Sequence, residues 1–108
     1  MESNEKAYQV IIASDASDRM YEHFEFLARV SVNAANNLLD GLLKDIRNLK
    51  TDPFRYPVYN RPHLTVGKYR YILSNKRYRI VYQIIGKQVF VDDIQNCRQD
   101  DDKSILNK

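Results

Sequence analysis

Residues 66–98, VGKYRYILSNKRYRIVYQIIGKQVFVDDIQNCR, alternate apolar and polar side chains and are interrupted twice by turn-forming residues, Ser74-Asn75-Lys76 and Gly86-Lys87. This pattern predicts three strands in an antiparallel meander. In the middle strand Tyr78, Ile80, Tyr82 and Ile84 fall on one face, and Arg77, Arg79, Val81 and Gln83 fall on the other. The apolar face must be covered, and the only cover in the chain is its helical N-terminal half. The opposite face presents basic groups on a rigid sheet, where a functional site is expected.

The N-terminal half supplies that cover. Tyr8–Ser14 (YQVIIAS) reads as a short strand inside or beside the sheet. A helix over 16–30 follows, with Met20, Tyr21, Phe24, Leu27 and Ala28 as its buried stripe and Asp15 with Asp18 as a capping pair. His23 sits at the edge of the stripe and reads as a packing or surface residue. Ser31 and Asn33 mark the break and the next N-cap. A second helix over 34–50 buries Ala35, Leu38, Leu39, Leu42, Ile46 and Leu49, and Gly41 allows close packing against the first helix. The short link makes the pair an antiparallel hairpin. The connector 51–65 holds all three prolines, Pro53, Pro57 and Pro62, and is expected to run extended. Phe54, Tyr56 and Tyr59 pin it to the core, while Arg55, Arg61 and His63 project toward a partner. The fold class is α+β, in the order β-α-α-β-β-β, with a helical hairpin on one face of a small, mainly antiparallel sheet. One domain spans 1–108, with 1–7 and 101–108 expected to fray.

Charge is distributed unevenly. The net charge is +3. Between Arg55 and Arg98 there are nine basic residues against only Asp92 and Asp93, so the sheet half is strongly positive and suits an anionic partner. Arg79 has a plainer alternative, pairing with Asp92 or Asp93 on the neighbouring strand. A single cysteine, Cys97, excludes an internal disulfide and reads as a packing residue. No Cys/His spacing suggests a metal, and no cofactor is expected. The absence of a long apolar run and the acidic N-terminus point to a cytoplasmic protein that makes no use of a membrane.

Three segments carry a resemblance to a known family. Leu49-Lys50-Thr51-Asp52-Pro53-Phe54-Arg55-Tyr56-Pro57, Tyr78-Arg79-Ile80-Val81-Tyr82-Gln83 and Ile94-Gln95-Asn96-Cys97-Arg98-Gln99-Asp100 resemble, in order and spacing, passages of the RelE/ParE superfamily of toxins from type II toxin–antitoxin modules. The likeness runs from Tyr8 to about Asp100. It implies a growth-inhibiting toxin of a plasmid-stabilisation type of module, neutralised by a cognate antitoxin whose acidic segment wraps it. ParE-like members poison DNA gyrase. RelE-like members are metal-independent mRNA interferases that cut ribosome-bound mRNA by 2′-OH attack on the adjacent phosphate.

For the nuclease branch the resemblance implies Arg79, Arg70 and Arg98 as phosphate-supporting residues, with Lys76 and Arg77 adding to a target-binding surface. That branch also needs a proton acceptor. Here Asn96 stands where a histidine is usual, and no tyrosine follows Arg98. His63 substitutes only if its loop folds over the sheet. The missing base, the long helical hairpin and the Arg55-Tyr56-Pro57 connector favour the ParE-like branch. A ribosome-dependent RNase is the alternative, and an inactive antitoxin-binding domain is a third.

Overall fold

The computed structural model describes residues 7–97. Strand β1 (Gln9–Ile12) runs directly into helix α1 (Ser14–Ala28), followed by α2 (Val32–Arg47). Two single 3-10 turns, Asn48–Lys50 and Pro53–Arg55, lead to a two-residue strand β2 (Val58–Tyr59). The meander is β3 (Tyr69–Ser74), β4 (Tyr78–Ile85) and β5 (Gln88–Asn96). All belong to one sheet in the order β1-β5-β4-β3-β2, parallel between β1 and β5 and antiparallel elsewhere. The expected order and class are those observed, with one strand more. Connector residues Val58 and Tyr59 are extended enough to pair with Arg70 and Tyr69 and become an edge strand.

Both turns of the meander have the backbone their residues allow. Asn75 and Lys76 take positive φ (52° and 63°), the right-twisting geometry of a two-residue hairpin, and Gly86 takes φ 60°.

The helical hairpin covers one face. Leu38, Leu42, Ile46 and Leu49 of α2 and its following turn pack with Ala16 and Met20 of α1 against Ile72, Ile80, Tyr82, Val89, Val91 and Ile94. Helix α2 starts where Ser31 accepts a hydrogen bond from the Ala34 amide at 3.1 Å, as a capping serine should.

Three local expectations change. Helix α1 has no side-chain cap. Its N-cap is Ala13, whose amide still bonds the Val91 carbonyl at 2.9 Å, so the strand passes into the helix without a loop for Asp15 to close. The buried face of α1 is Ala16, Arg19 and Met20, and Tyr21 is 53% exposed. That rotation turns Arg19 and His23 toward β5, beyond the point where β1 stops pairing. The His23 Nε2 lies 2.8 Å from the Ile94 carbonyl and its ring meets Tyr78 edge-on, so the histidine is a structural residue that packs α1 against β5. Gly41 does not face α1. A methyl group there would lie 2.7 Å from the Asn75 amide, so the glycine admits the β3–β4 turn.

A register shift between Val81 and Tyr82 makes β5 one residue longer than its partner: Val91 opposes Tyr82, Asp93 opposes Val81, and Asp92 is the extra residue. Val91 and Ile94, three apart, therefore both face the helices, and Asp93 and Gln95 face the other way beside Val81 and Arg79. On that far face Tyr59, Tyr69 and Val81 form a second, smaller cluster, joined by Leu64 and Tyr71.

Tyr82 is fully buried and donates to the Pro53 carbonyl at 2.6 Å, which ties the connector to the core. Burial holds its phenol well above the usual range near pH 10. The unfolded chain therefore loses this proton first, and Tyr82's contribution to stability, complete below about pH 10, is lost as the pH rises further. Tyr82→Phe should cost about 1–2 kcal/mol at neutral pH by leaving the carbonyl unpaired. Urea titrations at neutral and alkaline pH should also show a flatter alkaline limb for the variant.

Candidate functional site

The far face of the sheet carries a recess of about 320 Å³, lined by Val58, Tyr59, Asn60, Arg61, Tyr71 and Arg79. Two guanidinium groups enter it, and among the described residues no carboxylate lines it. Arg79, from the centre of β4, donates from Nη1 to Gln95 Oε1 at 2.7 Å. Its guanidinium carbon lies 5.2 Å from the Tyr59 ring centroid and 5.8 Å from that of Tyr71, within cation–π range. Arg61 donates from Nε to the Tyr59 hydroxyl at 2.9 Å, with its guanidinium carbon 5.1 Å from the same ring. Tyr59 in turn donates to Gln95 Oε1 at 3.2 Å, and its ring meets Tyr71 at an interplanar angle of 70°.

The floor under these groups is polar and dry. Gln95 is 1% exposed and Asp93 is 0% exposed. Gln95 Nε2 donates to Asp93 Oδ2 at 3.0 Å, which fixes the amide with its oxygen toward Arg79 and Tyr59. The other Asp93 oxygen accepts from the Ile94 amide at 2.9 Å and lies 3.7 Å from Arg19 Nη1 of α1. A buried carboxylate is costly unless paired and bonded, and Asp93 is both. The network thus runs from α1 through β5 to the two arginines of the recess.

The other sequence-derived candidates lie elsewhere. Arg70 is opposite Tyr82 on the helix-covered face. It donates to the Phe54 and Tyr56 carbonyls at 3.1 and 2.6 Å and packs on the Phe54 ring, so it clamps the connector and does not meet Arg79. Lys76 and Arg77 are exposed at the β3–β4 turn. They border a larger cleft of about 580 Å³ between that turn and the helical hairpin, whose walls include Leu27, Leu38, Tyr78 and Cys97. The loop with His63 does fold across the far face, where Leu64 packs on the tyrosine cluster, but His63 itself is exposed. Asn96 is opposite Tyr78 and faces the helices. Arg98 lies outside the described residues. Arg79 is therefore joined in the recess by Arg61, which the sequence directs toward a partner, and by Tyr59 and Tyr71, with Gln95 buried beneath; the last three were not singled out as site residues. The available signal was the polar pair Asp93 and Gln95, spaced by two on either side of Ile94 in β5.

Among the described residues no group of three or more His, Cys, Asp or Glu side chains is placed to hold a metal ion. No helix among them is long and apolar enough to cross a membrane.

A helical hairpin on one face of this sheet is the architecture of a solved protein described as the chromosomal ParDE TA system from P. aeruginosa. The match has a TM-score of 0.68 at 8% identity and covers 84% of this chain and 97% of that one. At that identity the likeness establishes the fold. The family model described as the ParE toxin of type II toxin-antitoxin system, parDE, matches residues 10–101. The chain belongs to the ParE toxin family. No curated protein matches the sequence.

Asp92, the extra residue of β5, accepts from Gln83 Nε2 at 2.6 Å. Burial raises its carboxyl above the ordinary range, outweighing the opposing effects of the Gln83 bond and Lys68. The folded state therefore holds the proton more tightly than the unfolded chain. Its stabilising contribution is complete below about pH 4 and is lost as the pH climbs through the raised value. Asp92→Asn should leave stability near pH 3 unchanged and raise the thermal midpoint at pH 7, as followed by circular dichroism.

Proposed function

We propose that this protein is the growth-inhibiting toxin of a type II toxin–antitoxin module of the plasmid-stabilisation kind. In this reading it acts on DNA gyrase through protein–protein contact and is neutralised by a cognate antitoxin in the cytoplasm. The observation that carries the reading is the composition of the far-face recess, whose lining among the described residues includes two arginines and two tyrosines but no imidazole and no carboxylate. Cleaving RNA through its 2′-OH needs a group to accept that proton, as well as cations to stabilise the phosphorane. The cations are present. His63 is exposed on its loop and Asn96 faces the helices. Inhibiting an enzyme by binding it makes no such demand. Membership of the ParE family supports both the toxin role and an antitoxin partner.

The second reading, a ribosome-dependent mRNA interferase, is favoured by one feature: Arg79 sits at the centre of the open sheet face with a second arginine beside it. Two assays separate the readings. Purified protein should inhibit gyrase supercoiling of relaxed plasmid at sub-stoichiometric to stoichiometric ratios, and added antitoxin should relieve the inhibition. In a translation reaction, primer extension should show no ribosome-dependent cuts. New cuts that vanish in Arg79→Ala would establish the nuclease instead. Silence in both assays, with an antitoxin still bound, would identify an inactive binding domain.

A further inference from the structure

We infer that the linked end of the helical hairpin is a self-complementary surface that pairs two copies of this chain. Phe26 of each copy sits in the cleft between the hairpin and the β3–β4 turn of the other. The inference concerns the chain alone and does not depend on which cellular target it acts on.

Three observations carry it. The first is an apolar knob. Glu22 and Phe26 are one turn apart on an exposed side of α1, and Val30 follows one turn further, just past the end of the helix. Phe26, Val30 and Val32 are 57%, 81% and 62% exposed. Apolar residues exposed singly are ordinary, but three grouped at one end of a hairpin mark a contact surface.

The second is a hole beside the knob. The cleft of about 580 Å³ opens at the same end of the hairpin, where Leu27, Ala34, Leu38 and Tyr78 form its apolar walls. Leu27 is the chain neighbour of Phe26, so knob and hole lie side by side on the molecule. The volume falls within the range of about 300–1,000 Å³ typical of pockets that enclose a ligand. An aromatic anchor filling such a pocket is the usual energetic centre of a protein–protein contact.

The third is charge. The β3–β4 turn places Lys76 and Arg77 on the cleft wall, and both are exposed. Glu22 and Glu25 flank Phe26 and are exposed too. Among the described residues none of these four groups is in an ion pair. A knob flanked by acids thus lies beside a hole flanked by bases. Rotation about a two-fold axis between them carries each knob to the other copy's hole and each acidic pair to the other copy's bases. Both contacts then form twice, and the assembly closes at two chains. The same arrangement selects the occupant. Nucleic acid would meet Glu22 and Glu25 beside the cleft, and an acidic peptide would answer the cations but leave Phe26 in water.

The test is sedimentation equilibrium of the purified full chain at low ionic strength. It should show a monomer–dimer equilibrium with a Kd of about 100 µM or tighter, weakening as salt is added. Phe26→Ser should raise the Kd about tenfold or more. Glu22→Lys with Glu25→Lys should raise it about tenfold, and so should Lys76→Glu with Arg77→Glu. All four reversals in one chain should bring the Kd back to within about threefold of the native value, because two-fold pairing sets each reversed acid against a reversed base. Ile85→Ser, at an exposed apolar position at the other end of β4, should change it less than about twofold. Every substituted position is exposed, so the fold is not at stake. Four outcomes would overturn the inference. One is a monomer at all concentrations up to about 1 mM, which leaves the cleft to residues 98–108 or to a different protein. The others are masses that keep rising beyond two chains, a dimer indifferent to Phe26→Ser, and a fourfold-reversed chain that stays dissociated. The measurement involves neither gyrase nor an antitoxin, so it can fail while the supercoiling result stands, and the reverse.

Discussion

The far-face site depends on one irregularity, the extra residue at Asp92. In a strand of strict alternation Asp93 and Gln95 would follow Val89 and Val91 onto the helix-covered face, and Ile94 would point to solvent. A carboxylate and an amide would then lie among Leu42, Ile80 and Tyr82. The bulge resets the alternation, so that Ile94 completes the core opposite Ile80 and the two polar residues come to lie beside Val81 and Arg79. The cost of the disruption is local: one half-buried carboxylate at the bulge, bonded by Gln83. What it avoids is larger, because an unpaired buried charge is among the most damaging defects a core can hold.

The same strand shows how the two halves of the chain are joined. Strand β1 pairs with β5 only as far as Val91. Beyond that point no strand among the described residues pairs with this edge of β5, and α1 supplies Arg19 for Asp93 and His23 for the Ile94 carbonyl. These two polar residues appear on the inward side of α1 because the neighbouring strand still has backbone and side-chain groups to satisfy there. The connector is held in a corresponding way by Tyr82 on Pro53 and by Arg70 on Phe54 and Tyr56. An arginine that reads in the sequence as a ligand-binding cation is thus used to close a loop.

The sequence made the fold legible wherever periodicity was long and simple. The alternation of Tyr78, Ile80, Tyr82 and Ile84 and the Leu38-Leu42-Ile46-Leu49 spacing were enough to define a hairpin of helices on a sheet. It was less legible where tertiary contact overrides the local signal. Tyr21 looked like core, yet α1 is rotated by what β5 requires of Arg19 and His23. Val58 and Tyr59, between prolines, gave no strand period because a two-residue strand has none. The site was half legible. Arg79 follows from alternation alone, but its companions come from the connector and from beyond a bulge, and no local pattern announces an inserted residue before the partner strand is known. Arg70 was misplaced for a simple reason: it is on β3, and only the cross-strand register reveals that it shares a face with Tyr82.

The separation of the two faces has a bearing on how such a chain can change over time. Residues 59, 61, 71, 79 and 95 touch the far-face cluster, while the helical hairpin rests on an independent set of apolar side chains on the reverse of the same strands. Substitutions at 61 and 79, which are only half-buried, leave the apolar set beneath the helices untouched, whereas Tyr59 and Gln95 are buried and Gln95 also bonds the Asp93 carboxylate. Gaining or losing a single residue within β4 or β5 would have the opposite character, since it would exchange the faces of every position beyond it. A sheet of this kind therefore tolerates replacement at the half-buried positions of the recess far better than a change in the length of the strands that carry it.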